Sequence, residues 1–426
     1  MPGEERRGFP RSAGEMSEGQ RAPMPQSPPI TKNHRNHSSK TCPSLNPFNP
    51  SNPGSDNHAY PYLHLIQHNS RRIRGNNMPT TTMRAALDDG TGLYETQDVP
   101  MPEMFDGAAM IRVRQTGICG SDLHMTTRRE EAQDLPSGHE VTGEIVELPA
   151  GNHNFEVGDR VAIDTVCSGR ACFDCRFCNY GQYRHCLNFV DDSGGGFAEY
   201  MTRRPLGLFK LHDDMDWTDG ALVEPMAVSV HGLRYAGMKP GDVVAVVGSA
   251  PIGLSSIASA HAFGASKVIA SAKYPQQAEL AAKMGADIVT GAEPGELADR
   301  VMDETQGVGA DVVVESVGGH QTVTFHEALN ATRNQGTMVY LGGIKEPMEV
   351  DLFNPMLREI KIISSNCYGI IDGVHDYEVA INLLATGQYP YREAVKHRYD
   401  LEQIAPAFNT AFDKTTGAIK VHIVQN

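Results

Sequence analysis

The chain has 426 residues, 40% of them apolar and 21% charged, and carries a formal net charge of −15. That length accommodates two domains, each with its own core. The acidic balance argues against a nucleic-acid-binding body, and no uninterrupted apolar run reaches the roughly 18 residues a membrane-spanning helix needs.

Residues 1–78 differ from the rest: they hold 10 Lys/Arg against 5 Asp/Glu, and 11 of the 26 prolines. A stretch so polar and proline-rich buries too little apolar surface to offset chain entropy, so it reads as a disordered extension. No basic start with an apolar core and cleavage site marks a secretory signal. Glu4, Glu5, Glu15 and Glu18 weigh against an organelle transit peptide. The expectation is cytoplasmic residence.

Three strings then offer metal ligands: GICGSDLH (117–124), SGHEVTGEIVE (137–147) and GALVEPMAVSVHG (220–232). They supply Cys119, His139 and a carboxylate from Glu140 or Glu224. Fewer than four firm ligands, scattered along the chain, is the pattern of an open catalytic zinc site. Between them lies ACFDCRFCNYGQYRHC (171–186), which places Cys172, Cys175, Cys178 and Cys186 in C-x2-C-x2-C-x7-C spacing. Short Cys-x2-Cys steps let one loop wrap four thiolates around one ion, leaving no open position, so this second zinc is structural. Disulfides suit a small secreted domain and fit this chain poorly.

GMKPGDVVAVVGSAPIGLSSIASAHAFGASKVIASAKY (237–274) reads as strand, glycine turn, helix and second strand. DVVAVVG suits a buried parallel strand. The helix that follows offers its N-terminal amides to a pyrophosphate. The glycine fingerprint becomes Gly248-Ser249-Ala250-Pro251-Ile252-Gly253, with Ala250 at the second glycine. GADVVVESVGG (309–319) and GTMVYLGG (336–343) predict two later strands of the same sheet, and AIKVHIV (418–424) predicts a final strand.

From about Met83 onward, GICGSDLH, GHEVTGEIVE, FEVGDRVA, the four-cysteine loop, GGGFAEY, ALVEP and VVGSAPIGL occur in an order that resembles the zinc-dependent medium-chain alcohol dehydrogenases, particularly their polyol and threonine dehydrogenase branch. The resemblance implies an α/β chain: a GroES-like, mainly β catalytic domain over 79–226 and 366–426, and a Rossmann doubly wound parallel-sheet domain over 227–365. It implies two Zn2+ per chain. Cys119 and His139 bind the catalytic ion; Glu140 ligates it, while Glu224 ligates it directly or through the bound water, the choice between the two carboxylates staying open. Asp122 orients His139, a role compatible with a helix N-cap. Ser121 would accept the proton of a zinc-activated secondary alcohol and His124 would pass it on, while hydride goes to the nicotinamide.

By the same resemblance, Gly248, Ala250, Ile252 and Gly253 face the pyrophosphate. Val317, Leu341, Gly342 and Gly343 approach the nicotinamide, and Asn366 and Tyr368 line the cleft. Ala272 stands where the family's ribose-binding acid is expected. With Lys273 beside it and Ser271 as a donor, this favours NADP(H) over NAD(H). Small-molecule alcohols or ketones are the implied partners, specifically polyols, sugars or amino alcohols, together with a homo-oligomer. The competing readings are a zinc-independent double-bond reductase on the same fold and a non-catalytic NADPH-binding protein.

Overall fold

The computed structural model describes residues 82–90, 92–125, 132–151, 154–190, 194–345 and 347–425. The extension expected to be disordered, residues 1–78, lies outside them. Among the described residues no helix is long and apolar enough to cross a membrane.

Six parallel strands form one sheet in the spatial order Ile288–Thr290, Lys267–Ser271, Val243–Val247, Ala310–Glu315, Thr332–Tyr340, Lys361–Ser364. Numbered along the chain this is 3-2-1-4-5-6, the doubly wound order. Ligands on such a sheet sit where the winding reverses, between the first and fourth strands. The central strand, VVAVV, is β-branched and buried along nearly its whole length, as a strand covered on both faces must be. The four strands expected here, and the final strand Lys420–Val424, all form.

The second sheet is mostly antiparallel. Its order is Val395–Asp400, Lys420–Val424, Ala109–Gly117, Glu140–Glu147, Arg160–Asp164, Leu208–Lys210, with Tyr200–Arg203 also pairing to Ala109–Gly117. The C-terminal strand thus inserts beside a strand some 300 positions earlier. That return brings the end of the chain to the metal-binding strings.

A long helix, Trp217–Tyr235, joins the two sheets and runs across position 226, where a domain boundary was expected. Asp216 caps it: its Oδ1 accepts from the backbone of Thr218 (2.7 Å) and Asp219 (3.0 Å), and Asp219 answers back to the Asp216 amide. One apolar cluster takes in Leu222, Met226 and Val230 of this helix, Ala162 of the antiparallel sheet, and Val244 and Val246 of the parallel one. The helix therefore sets the two sheets in one packed body.

Candidate active site

Strand register assembles the metal-binding strings. Gly117 pairs with Glu140 on one side and His422 on the other, and the Ile118 amide donates to the Val421 carbonyl at 2.9 Å. Three adjacent strands therefore deliver Cys119, the His139–Glu140 pair and Lys420 to one place. Ligand atoms of Cys119, His139 and Glu140 lie within 4.8 Å of one another. Glu224, the other expected carboxylate, stands outside that set, buried on the long helix.

Asp122 serves both sides of this cluster. It sits in the first turn of the helix Gly120–Met125, and its Oδ2 accepts the Cys119 amide at 2.9 Å, reaching back from inside the helix. The N-cap alternative is thereby corrected to an inner-turn position. Its Oδ1 lies 3.5 Å from His139 Nδ1, which leaves Nε2 to face Ser121 Oγ, also at 3.5 Å. The His124 side chain lies outside the described residues.

Charge follows this geometry. Burial pushes the His139 imidazolium toward losing its proton, but Asp122 and Cys119 together outweigh it, and the pKa stands well above the usual histidine value. Glu224 moves up to about 8, chiefly because burial disfavours its charge, with Glu140 adding repulsion against attraction from His139. A thiol, an imidazole held at its far nitrogen and a carboxylate are a zinc-type donor set, and the residues present fit such an ion.

Lys420 is the participant that sequence reasoning missed. Its ammonium is buried, donates to the Ile118 carbonyl at 3.1 Å and pairs with both carboxylate oxygens of Glu140. Burial pushes its pKa down, yet Glu140 and Cys119 hold it above the ordinary lysine value.

The four-cysteine loop also closes. All four sulfurs lie within 4.8 Å of one another, with Cys175 to Cys178 at 3.5 Å and Cys172 to Cys178 at 3.9 Å. Backbone amides point at the sulfurs: Cys172 N to Cys186 Sγ at 3.3 Å, Cys175 N to Cys172 Sγ and Asn188 N to Cys186 Sγ both at 3.4 Å. Such donors stabilise thiolate, and backbone hydrogen bonds lower the Cys175 thiol to about 6. This set too fits a zinc ion.

At the winding reversal, Gly248 (φ 90°) turns the chain from the first strand into the helix Pro251–Ala262. Ala250 takes the N-cap in extended geometry, with φ −78°, so the turn does not demand glycine there. Helix-start amides such as those of Ile252 and Gly253 have no acceptor within the helix and are available to an anion. Ser255 ties this helix to the metal side, its Oγ donating to the Pro225 carbonyl beside Glu224 at 3.1 Å.

The loops after the fourth and fifth strands lie side by side, with the Gly319 amide 3.2 Å from the Gly343 carbonyl. This brings Val317, Leu341, Gly342 and Gly343 into one rim at the ends of those strands. Ala272 is buried, Lys273 is exposed, and the Lys273 ammonium lies over the Tyr274 ring at 5.8 Å.

Two expectations need correction. Ser271 is buried and its Oγ accepts the Gly248 amide at 3.0 Å, so it braces the glycine turn instead of facing a ribose phosphate. Tyr368 is 1% exposed and packs against Tyr377, with ring centroids 4.7 Å apart, so it supports the cleft from the core and offers a cofactor no surface. Asn366 remains exposed.

A doubly wound sheet beside an antiparallel one, with a Cys–His–Glu cluster and a four-cysteine loop, defines the class of zinc-binding dehydrogenases. Family models agree. Residues 106–213 match the alcohol dehydrogenase GroES-like domain, and residues 251–386 match the zinc-binding dehydrogenase domain. Sorbitol dehydrogenase of Bacillus subtilis (strain 168) is 30% identical over 353 residues, covering 81% of this chain and 98% of its own. D-arabitol-phosphate dehydrogenase of Enterococcus avium is 30% identical over 337 residues, covering 77% and 93%. Among solved structures, 2R,3R-butanediol dehydrogenase from Bacillus subtilis superposes with a TM-score of 0.69 at 26% identity, covering 81% of this chain and 100% of that one. A zinc-binding dehydrogenase target from Sinorhizobium meliloti 1021, solved bound to NADP, gives 0.70 at 26% identity, with coverage of 81% and 100%. The chain belongs to the zinc-dependent medium-chain alcohol and polyol dehydrogenase family.

Proposed function

We propose that this enzyme reversibly oxidises a secondary alcohol of the polyol, sugar or amino-alcohol class, with NADP(H) preferred over NAD(H). The observation that carries the reading is the convergence of Cys119, His139 and Glu140, with Ser121 Oγ 3.5 Å from His139 Nε2, the nitrogen that Asp122 leaves free for an ion. Zinc held there would act as a Lewis acid that makes an alcohol proton easier to remove. Ser121, whose Oγ lies 3.5 Å from His139 Nε2, would receive that proton, and Asp122, 3.5 Å from Nδ1, would keep His139 oriented toward the ion. Cys172, Cys175, Cys178 and Cys186 would hold a second, structural zinc, giving two ions per chain.

Gly248 to Gly253 would seat the pyrophosphate on the helix start, and the rim of Val317, Leu341, Gly342 and Gly343 would border the nicotinamide, with Asn366 beside it. The NADP(H) preference is supported by Ala272 in place of an acid, by the exposed Lys273 ammonium, and by the NADP-bound relative. The chain divides functionally near 226 and 365, and we place it in the cytoplasm. A homo-oligomer is supported by the edge strand Lys361–Ser364, which ends its sheet beside exposed Leu352, Phe353, Met356, Leu357 and Ile362.

The test is a panel of sorbitol, xylitol, arabitol, 2,3-butanediol and threonine with each oxidised cofactor, followed by absorbance of the reduced nicotinamide. Turnover of at least one polyol, faster with NADP+, is the expected result. Reduction of an enone with no alcohol oxidised would overturn it in favour of a double-bond reductase.

A further inference from the structure

Lys420 stands against Glu140, one of the three residues that converge on the metal position, and nothing in the reading above assigns it a task. The pair is thoroughly enclosed: the Lys420 side chain is 2% exposed and that of Glu140 1%. Both oxygens of the carboxylate face the ammonium, and the Ile118 carbonyl takes a further bond from it at 3.1 Å. Gly117, the strand partner of Glu140, makes room for them. A side chain at Gly117 would overlap the Glu140 carboxylate and bring its Cβ to 3.0 Å from Lys420 Cε.

Burying two charges costs more than an apolar pair of the same volume, and removing one partner leaves the other uncompensated. A buried pair placed on a metal ligand does more than pack, because a carboxylate can give its charge fully to only one cation. An ammonium holding both oxygens weakens the same group as a metal donor.

We propose that Lys420 is a positioning residue that restrains the Glu140 carboxylate, so that the ion at Cys119 and His139 is held loosely on its Glu140 side and keeps a position open to substrate. This rests on the reading of Cys119, His139 and Glu140 as the catalytic zinc set. Without Lys420 the carboxylate turns wholly to the metal. The ion then binds more tightly and the open position is lost. Glu224 stands outside the set of ligand atoms that converge on the metal position and does not replace the effect.

The experiment measures zinc release from the full-length protein to a chromogenic chelator, with Cys119→Ala identifying the phase that belongs to the four-cysteine loop. Lys420→Met should slow the other phase about tenfold or more. It should also shift the visible spectrum of the cobalt-substituted enzyme and lower kcat with little change in the KM for cofactor. Lys420→Arg, which keeps the charge, should restore the wild-type release rate and spectrum. The double variant Lys420→Met/Glu140→Gln removes the uncompensated charge and should fold even if the single variant does not. It should release zinc at least as fast as the wild type.

Zinc lost from Lys420→Met as fast as from the wild type, or faster, would overturn the proposal, as would slow release persisting in the double variant. If instead Cys119→Ala leaves the wild-type zinc content unchanged, the metal assignment itself falls.

Discussion

Substituting Gly253 by alanine tests the cofactor half of the site without touching any metal ligand. Gly253 lies in the first turn of the helix Pro251–Ala262, where alanine is an excellent helix former, so propensity predicts no loss. Packing predicts otherwise. The added Cβ would overlap the carbonyl oxygen of Gly248 and stand 2.9 Å from Ser316 Oγ, a hydroxyl already committed to the Val247 carbonyl at 2.8 Å. Because ordinary contacts are about 3.5 Å, the helix start must move away from the turn by more than about 1 Å. Overpacking of this kind costs about 1–3 kcal/mol. If the displaced amides are those that hold the pyrophosphate, the loss appears in cofactor affinity, about tenfold for each 1.4 kcal/mol. Fluorescence titration with NADPH should therefore show Kd raised by about 10- to 100-fold, with zinc content unchanged. Ala250→Gly, whose backbone is already extended, is the control and should stay within about threefold of wild type. A Gly253→Ala protein that is folded and binds NADPH within twofold of wild type would refute the placement of the dinucleotide across this turn.

Three further outcomes follow from the same geometry. Ala272→Asp combined with Lys273→Ala should reverse the cofactor preference in the same titration, since a carboxylate repels a 2′-phosphate and the lost ammonium no longer attracts it; unchanged preference would mean that other residues read the ribose. In chelator-treated protein, thermal stability should fall with rising pH, because Glu224 and His139 both have raised folded pKa values. The Glu224 contribution is fully present below 4.5 and lost as the pH rises through about 8, and that of His139 is fully present below 6.5 and lost as the pH rises through its raised folded value. The difference in Tm between zinc-loaded and zinc-free protein should accordingly widen from pH 6 to pH 9, and a constant difference would contradict the protonation assignment. Cys178→Ala should remove the ion of the cysteine loop and lower the Tm measurably, while Cys119 still binds its own; an unchanged Tm with full zinc would show the loop to be metal-free.

The sequence was most readable where chemistry depends on local spacing. The four cysteines, the glycine turn and the β-branched run at Val243–Val247 each carry their signal within a few residues, and each forms as expected. It was least readable where function depends on strands far apart in the chain. Lys420 belongs to a short strand that pairs with positions 115 to 117, and only that pairing brings its ammonium to Glu140. One signal was available: Lys420 and His422 alternate within an otherwise apolar strand, and both are buried. Buried polar groups need partners, and His422 finds Gln115 at 2.6 Å. The choice between Glu140 and Glu224 was closed to spacing for the same reason, since one rides on a strand and the other on a helix. Ser271 and Tyr368 misled because a position in a string fixes a neighbourhood but not which way a side chain turns.

The most direct test of the whole account is zinc per chain in wild-type and Cys119→Ala protein, measured by elemental analysis alongside NADP+-linked polyol oxidation and NADPH binding. The account predicts two ions falling to one, oxidation abolished and NADPH still bound. Undiminished zinc, or turnover that survives the substitution, would contradict it.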